Sequence, residues 1–404
     1  MRGRPHHAAR RLTKPLRTLE GVRIAAFTQF LLGPAAVQHL ADLGADVVKV
    51  EAPGGAWERT WSGAETHRNG VSTLFMLANR NQRSLVLDLK SDAGREAALR
   101  LIAKSDVMVS NFRPGAMERL GLGYDDARKV RPDIIYATAS GYGSDSPFRD
   151  LPGQDLLIQG LSGVAWLTGR AGHDPTVVGA AVVDMHGGAL LAMGILAALF
   201  HRERTGEGQQ VEVAMVQAAF DLMIEPVVYA ANGAKLQRPA EEIADTFHSA
   251  PYGVYATSDG YAVISMVPVK TLVEVLGEPP LAGGLDDPAV AFTRRDEIRA
   301  ILGPLVAKHK TAELVERLRA HHIWCAPVQT IDEALADPAV KHLDPFVEMD
   351  HPRAGKVKAL RHPVRYGAGE PELRRLPPEV GEQSREILRE LGFSDDEVTR
   401  MAPA

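Results

Sequence analysis

The sequence predicts an α/β protein whose first half forms a parallel β-sheet covered by helices on both faces. Short runs rich in valine, isoleucine and alanine have the length and composition of buried strands: 22–27, 46–51, 84–88, 106–109 and 133–138. Segments with a helical spacing of apolar residues lie among them, at 33–43 and 93–104. Strands that alternate with helices pair in parallel through right-handed crossovers, so we expect a Rossmann-like arrangement.

The second half predicts a separate, smaller unit followed by a tail. Its predicted elements are a strand at 209–214, a helix at 217–231, a hairpin at 252–265, a helical segment at 295–320 that Pro304 interrupts, and a strand at 324–328. Beyond residue 343, Asp-Pro and His-Pro pairs indicate an extended tail, which closes with a helix at 384–391.

The charge of the chain is unevenly distributed. Residues 1–18 contain six arginines and lysines and no acid, so we predict a disordered basic arm there. The whole chain has a formal charge of −5, which leaves −11 for the remainder. A body this acidic argues against nucleic-acid binding. The hydrophobic content of 45% and the charged content of 24% are typical of a soluble globular protein.

Cysteine usage and hydropathy indicate a cytoplasmic protein with no membrane association. Cys325 is the single cysteine, which excludes an intrachain disulfide and a multi-cysteine metal site. The longest apolar run, residues 187–200, is shorter than a bilayer-spanning helix requires. The basic arm lacks the apolar segment of a secretory signal.

Several common active-site motifs are missing from the sequence. The turn after the first predicted strand, residues 28–34 (TQFLLGP), has no G-x-G-x-x-G, although Glu51 ends the second strand where a ribose-binding acid would lie. Walker A, H-E-x-x-H and G-x-S-x-G motifs do not occur either. Dinucleotide, ATP and serine-hydrolase chemistry are therefore disfavoured.

An aspartate directly precedes the most apolar helical run, in residues 178–200 (VGAAVVDMHGGALLAMGILAALF). The simplest interpretation is that Asp184 caps this buried helix. The alternative is a nucleophile presented at the helix start, where Gly187 and Gly188 leave room for a ligand to approach the backbone. The local pattern alone favours the cap.

The chain resembles the class III CoA-transferase family, which includes formyl-CoA:oxalate, carnitine and bile-acid CoA-transferases. The resemblance covers about residues 19–366. Besides the stretch around Asp184, it is carried in order by 19–23 (LEGVR), 43–51 (LGADVVKVE), 81–90 (NQRSLVLDLK), 106–116 (DVMVSNFRPGA), 154–163 (QDLLIQGLSG) and 201–210 (HRERTGEGQQ). Each stretch is weak by itself, but their order is specific.

This resemblance implies a fold. Residues 19–235 and 345–404 would build one large Rossmann-like domain, and residues 236–344 a small α+β domain with linkers. Each subunit would form a ring, and two rings would interlock into a homodimer.

The resemblance also implies a reaction between an acyl-CoA donor and a carboxylate acceptor. Asp184 would be the nucleophile, forming first an aspartyl anhydride and then an aspartyl-CoA thioester. Coenzyme A would be a co-substrate, and neither a metal nor a tightly bound cofactor is expected. Asp155, which follows Gln154, falls where the family carries an acid near the nucleophile. A structural role for Asp155, as an acid that binds backbone, remains open.

A set of coenzyme A-binding residues follows from the same resemblance: Leu32, Leu87, Asp88, Leu89, Lys90, Asn111, Phe112, Arg113, Ala116 and Arg119. Lysine and arginine can neutralise phosphate groups, and the phenylalanine can cover an adenine face. The chain departs from the formyl-CoA enzyme at Ala52 and Pro152, where that enzyme has basic residues. Arg149 is the candidate substitute.

Two other functions stay open, a racemase and a catalytically silent subunit. An α-methylacyl-CoA racemase shares the fold and the nucleophile but needs a histidine where this chain has Gln154, which cannot act as a base. A catalytically silent subunit of a hetero-oligomeric transferase is the second, and the presence of Asp184 argues against it. The exchanged acids are not determined, although the absence of the glycine run of oxalate enzymes disfavours oxalate.

Overall fold

The computed structural model describes residues 14–402, so the first thirteen residues of the predicted basic arm lie outside the described residues. The strands are β1 Arg23–Phe27, β2 Asp46–Glu51, β3 His67–Arg68, β4 Val71–Ser72, β5 Gln82–Val86, β6 Val107–Ser110, β7 Ile135–Ser140, β8 Gln210–Ala214, β9 Gly253–Ala256, β10 Tyr261–Ile264, β11 Cys325–Pro327, β12 Phe346–His351 and β13 Gly355–Leu360. The helices are α1 Leu32–Asp42, α2 Thr73–Ala78, α3 Asp92–Ala103, α4 Ala116–Arg119, α5 Tyr124–Val130, α6 Asp155–Ser162, α7 Val164–Leu167, α8 Val182–Thr205, α9 Met215–Leu222, α10 Ile224–Ala231, α11 Val269–Leu276, α12 Arg295–Val306, α13 Thr311–Ala320, α14 Ile331–Ala336, α15 Pro338–Leu343, α16 Ser384–Glu390 and α17 Asp395–Met401. Short 3₁₀ turns occur at Trp57–Arg59, Gly63–Glu65, Ala282–Gly284 and Pro288–Val290.

The chain divides into two compact units. The first combines the chain up to Ile158, Ala181–Ala219 and the chain from Pro345 onward. The second combines Gln159–Ala180 with Phe220–Asp344. Residues 159–180 and 220–235, which the division implied by the family resemblance assigned to the large domain, belong to the second unit.

A six-stranded parallel sheet forms the centre of the first unit, in the order β5-β2-β1-β6-β7-β8. Successive residues of β1 face opposite sides, as the pleat of a strand requires. Ile24 and Ala26 pack into one core cluster with α1 and α8. Ala25 and Phe27 pack into a second cluster with α3, α16 and α17. The predicted α/β class, with a parallel sheet and helices on both faces, is therefore confirmed.

The two ends of the described chain pack on this unit. Residues 14–18, the end of the predicted arm, are part of the fold: the Leu16 N–H donates to the Glu370 carbonyl at 2.8 Å, and Leu16 is buried. The C-terminal segment covers the β5 edge, where the Ser84 N–H donates to Gln383 Oε1 at 2.8 Å. A covered edge cannot pair with another strand, so the tail also protects the sheet. The tail is not simply extended, because β12 and β13 pair as a hairpin.

Two helix predictions need correction, and both involve proline. The predicted helix 217–231 is two helices, α9 and α10, which Met223 separates. Pro226 lies in the first turn of α10, where the missing N–H of a proline has no partner to lose. Pro304 was expected to interrupt residues 295–320, but it lies inside α12, which continues to Val306. The break follows α12, and α13 begins at Thr311.

The second unit contains the antiparallel sheet β11-β10-β9, packed against α11, α12 and α13. The predicted hairpin corresponds to β9 and β10. The Arg299 side chain is fully buried and donates to the carbonyls of Tyr252 and His248, at 3.0 and 3.4 Å from Nη2.

Helix α8 has the length and apolar composition to cross a membrane, unlike the shorter apolar run from which the sequence argument started. Leu191, Ile195 and Ala198 of α8 lie in the core cluster that also contains α1 residues. We therefore interpret α8 as a core helix of the first unit.

Candidate active site

Asp184 lies in the first turn of α8, whose N-cap is Ala181. The expectation that Asp184 caps this helix is wrong, because the helix begins at Val182 and its N-cap residue, Ala181, makes no side-chain cap hydrogen bond. Asp155, at the start of α6, supplies the missing acceptor. Its Oδ1 accepts the N–H groups of Val183 and Asp184, at 2.7 and 3.1 Å. Asp155 is thus both an acid next to Asp184 and an acid that binds backbone.

The Asp184 carboxyl is buried and incompletely hydrogen-bonded. Only 5% of the residue is exposed, and Oδ2 has no hydrogen-bond partner within the described residues. Burial raises the pKa of Asp184 to about 7, and the neighbouring charge of Asp155 acts in the same direction. An unpaired buried carboxyl is costly for folding, and such groups concentrate at functional sites.

Gly187 and Gly188 have a packing role rather than the expected ligand-admitting role. A Cβ on Gly187 would lie 2.9 Å from Cδ1 of Leu32, and one on Gly188 would lie 3.0 Å from the Leu32 carbonyl oxygen. The two glycines therefore let α1 approach α8 closely. Leu32, predicted to contact coenzyme A, is 4% exposed and is used in this helix contact.

The other predicted binding residues lie at the carboxyl edge of the sheet. Residues 28–32, 87–90 and 111–119 follow the carboxyl ends of β1, β5 and β6, which are parallel and therefore end at one edge. The loop after β6 contacts the loop after β1 through Asn111. Helix α8 runs back toward the start of β8, so its N-terminus also lies at this edge. Open α/β sheets bind their ligands at this edge.

The segment after β5 forms a turn. The Asp88 side chain accepts the Lys90 N–H at 3.0 Å, and the Asp88 carbonyl accepts the N–H of Ser91. Leu87 is buried, Leu89 is half-buried and packs on the core, and the Lys90 side chain is exposed. Asp88 is exposed as well, so within this segment Asp88 and Lys90 are accessible to a ligand, and Lys90 is the cation.

The segment after β6 divides its predicted residues between two roles. The Asn111 amide binds both backbone groups of Gln29, accepting its N–H at 2.9 Å and donating to its carbonyl at 2.8 Å. Phe112 packs partly against the core cluster of the first unit. Ala116 begins α4 and is half-buried, whereas Arg113 is exposed.

Two guanidinium groups converge at Gly115, which has a φ of 79°. Nη1 of Arg119 and Nη2 of Arg149 lie 3.0 and 3.3 Å from the position that a Cβ on Gly115 would occupy. Within residues 14–402 neither side chain, nor that of Lys90 or Arg113, forms an ion pair. Two unpaired cations at one point favour an anionic ligand such as a phosphate.

Glu51, which ends β2 at this edge, is already bound by neighbouring side chains. Glu51 receives two hydrogen bonds of 2.7 Å from Arg59 and one of 2.6 Å from Ser84 Oγ. Burial opposes the ionisation of Glu51, but the Arg59 bonds keep its pKa below the usual range. Glu51 is therefore not free to bind a ribose. In the described part of the chain, no group of three or more His, Cys, Asp or Glu side chains is placed to hold a metal ion.

Comparison with known proteins identifies the family. The model of CoA-transferase family III matches residues 19–384. The chain belongs to CoA-transferase family III. This family III CoA-transferase is 34% identical to the succinyl-CoA:mesaconate CoA-transferase of Haloarcula hispanica, over 93% of this chain and 96% of the relative. It is 32% identical to the formyl-CoA:oxalate CoA-transferase of Streptomyces avermitilis, over 95% and 97% of the two chains.

The fold of this CoA-transferase also matches solved structures. The orthorhombic crystal structure of Rv3272 from M. tuberculosis superposes with a TM-score of 0.81 at 31% identity, covering 92% of this chain and 99% of that one. The family resemblance seen in the sequence is thus confirmed, and the chain is an enzyme of the CoA-transferase class.

Proposed function

We propose that the enzyme moves coenzyme A from an acyl-CoA thioester to a free carboxylic acid, with Asp184 as the covalent nucleophile. The observation that carries this proposal is the buried Asp184 carboxyl at the start of α8, with one oxygen lacking a partner and a pKa of about 7. A carboxylate of raised pKa is more basic, and hence a better nucleophile once ionised, than an exposed aspartate.

The reaction divides into two pairs of steps. The Asp184 carboxylate attacks the thioester carbonyl, forms an aspartyl anhydride and expels the CoA thiolate. The thiolate attacks the aspartyl carbonyl, which gives an aspartyl-CoA thioester and releases the donor acid. The acceptor carboxylate then attacks this thioester to form a second anhydride, and the thiolate attacks its acceptor carbonyl to release the new acyl-CoA and the Asp184 carboxylate.

Asp155 supports these steps through the helix. By accepting the N–H groups of Val183 and Asp184, it fixes the first turn of α8 without using the Asp184 carboxyl. Its charge also favours the neutral states of Asp184, which include the anhydride and the thioester.

Basic side chains at the carboxyl edge are proposed to hold the phosphates of coenzyme A. Arg119 and Arg149 form the central pair, and Arg149 takes the role of the basic residues missing at Ala52 and Pro152. Lys90 and Arg113 are exposed in the loops after β5 and β6, at the same edge of the sheet. Coenzyme A is the co-substrate in this proposal.

We further propose that the enzyme is a cytoplasmic homodimer with interlocked subunits. In the single chain, α8 carries large apolar side chains that are exposed, including Met193 at 60% and Phe200 at 64%. Clustered exposed apolar residues of this size are typical of subunit interfaces.

The test is an exchange assay with isotopically labelled carboxylic acids and a panel of acyl-CoA donors. Asp184→Asn is expected to abolish label transfer into acyl-CoA. Asp92→Asn is the matched control, because Asp92 also lies in the first turn of a helix but has a 94% exposed side chain. Exchange at the wild-type rate in the Asp184 variant would refute the proposal. Incorporation of deuterium at the α-carbon of one 2-methylacyl-CoA enantiomer, without an acceptor acid, would favour the racemase instead.

A further inference from the structure

Three aromatic side chains pack around one another in the first unit. The Phe30 and Trp57 rings stack with centroids 5.1 Å apart and planes 13° apart. Trp61 lies 5.7 Å from Phe30 and 5.9 Å from Trp57. Trp57 and Trp61 remain 48% and 46% exposed, so this aromatic cluster presents a large apolar surface. A contiguous exposed apolar surface marks a site of interaction with a ligand or with another protein, so its position decides which.

The backbone under the cluster is strained and firmly held. Phe30 has a φ of 64°, which is unfavourable for a bulky residue. The Asn111 amide binds both backbone groups of the preceding Gln29, and the Lys49 ammonium donates to the Thr28 carbonyl at 2.8 Å. Strain that the surroundings maintain in this way is concentrated at functional sites.

The 3₁₀ turn Trp57–Arg59, which carries Trp57 and precedes Trp61, is fixed by two ion pairs. Lys49 and Glu58 are both completely buried, and their Nζ and Oε1 atoms lie 3.1 Å apart. Arg59 binds Glu51 through two bonds of 2.7 Å. The turn that carries Trp57 is therefore held in place, and the charges of Lys49 and Arg59 are already neutralised.

The cluster is connected to the proposed nucleophile through α1. Phe30 precedes Leu32 by two residues, and Leu32 contacts Gly187, one helical turn after Asp184 on α8. The cluster therefore lies at the same edge of the sheet as the start of α8.

We propose that Phe30, Trp57 and Trp61 bind the acyl group of the CoA thioester, and that the preferred acyl groups are bulky and apolar, with aryl groups foremost. This inference rests on the proposed function. Aromatic faces stabilise planar apolar groups by stacking and burial. The second carboxylate of a dicarboxylic acyl group would lose hydration here without gaining a free cation, because Lys49 and Arg59 are paired.

The test compares kcat/KM for phenylacetyl-CoA, acetyl-CoA and succinyl-CoA with one acceptor acid. The wild-type enzyme is expected to prefer phenylacetyl-CoA. Trp57→Ala should lower the ratio of kcat/KM for phenylacetyl-CoA to kcat/KM for acetyl-CoA by about tenfold or more. Trp57→Phe should restore most of the loss, which separates stacking from misfolding. Trp324→Ala is the control, because Trp324 is 66% exposed and lies outside the cluster.

A preference for succinyl-CoA, or an equal loss for all three donors in Trp57→Ala, would overturn the inference. Quenching of tryptophan fluorescence adds a binding readout: phenylacetyl-CoA should quench the wild type more than free coenzyme A does, and Trp57→Ala should remove the difference. Equal quenching by free coenzyme A would assign the cluster to the nucleotide and overturn the inference. Acetyl-CoA exchange that depends on Asp184 would show that the proposed function holds even if this inference fails. If exchange does not depend on Asp184 but the enzyme still prefers phenylacetyl-CoA, the proposed nucleophile is wrong and the acyl-binding inference holds.

Discussion

Replacing Asp184 by Asn is expected to remove a loss of stability that the wild-type protein suffers as the pH rises. The folded protein holds the Asp184 proton up to about pH 7, whereas the carboxyl in the unfolded chain releases it near the reference value of 3.8. Between these values the folded state binds one more proton than the unfolded state, so the free energy of unfolding decreases with increasing pH. The full shift corresponds to about 4 kcal/mol at 1.36 kcal/mol per unit. Between pH 5 and pH 8.5 the wild type should lose about 3 kcal/mol through this group.

The assay is urea unfolding of the wild type and Asp184→Asn at pH 5 and pH 8.5. Asparagine does not titrate, so the stability advantage of the variant should grow by about 3 kcal/mol between the two pH values. The Asp92→Asn variant should follow the wild type, because Asp92 is exposed. A pH-independent difference between Asp184→Asn and the wild type would refute the argument that this carboxyl is buried and destabilised when charged.

Substitutions at three features of the site give further tests: the Asp155 cap, the contact between Gly187 and Leu32, and the arginine pair. Asp155→Asn keeps an oxygen for the helix N–H groups but removes a charge, so the pH profile of kcat/KM should move to lower pH. Asp155→Ala also loses the cap and should be about 1–2 kcal/mol less stable in urea than Asp155→Asn. Equal stability of the two variants would exclude the cap. Gly187→Ala places a Cβ 2.9 Å from Cδ1 of Leu32 and should lower the stability in thermal unfolding by about 1–3 kcal/mol. Adding Leu32→Ala to this variant should recover part of the lost stability. No recovery in the double variant would show that the contact with Leu32 does not cause the loss. Arg119→Ala and Arg149→Ala should each raise KM for acyl-CoA about tenfold. This increase should become smaller at high salt, which screens the charges. If one of the variants has an unchanged KM, the arginine it replaces does not belong to the phosphate site.

The central sheet was predictable because its signals are local. The runs 22–27 and 46–51 are buried strands by composition alone, and the structure places β1 at Arg23–Phe27 and β2 at Asp46–Glu51. Helix α17 was missed although Ser394 and Glu397 form a capping box there, a signature visible in the sequence. Attention to that motif would have found it.

The environment of Asp184 was not predictable in the same way. The acceptor that caps α8 is Asp155, 29 residues earlier in the chain, and no local pattern shows which distant side chain reaches a helix terminus. The role of Gly187 and Gly188 depends likewise on Leu32, which only tertiary packing brings to α8. The aromatic cluster combines the loop after β1 with a 3₁₀ turn after β2 and the following Trp61, and the Lys49–Glu58 and Arg59–Glu51 pairs that hold this turn join residues from different elements. Sequence reasoning therefore singled out Asp184 as the proposed nucleophile and, through the family resemblance, Asp155 as an acid near it, but it did not show the hydrogen bonds from Asp155 to the first turn of α8 or the packing of Leu32.

The most direct measurement of the central claim is mass spectrometry of the enzyme after incubation with acyl-CoA and trapping with hydroxylamine. The account predicts a hydroxamate on the peptide that contains Asp184, no such product in Asp184→Asn, and normal labelling in Asp92→Asn. An unmodified Asp184 peptide under conditions in which the enzyme exchanges coenzyme A between acids would contradict the account.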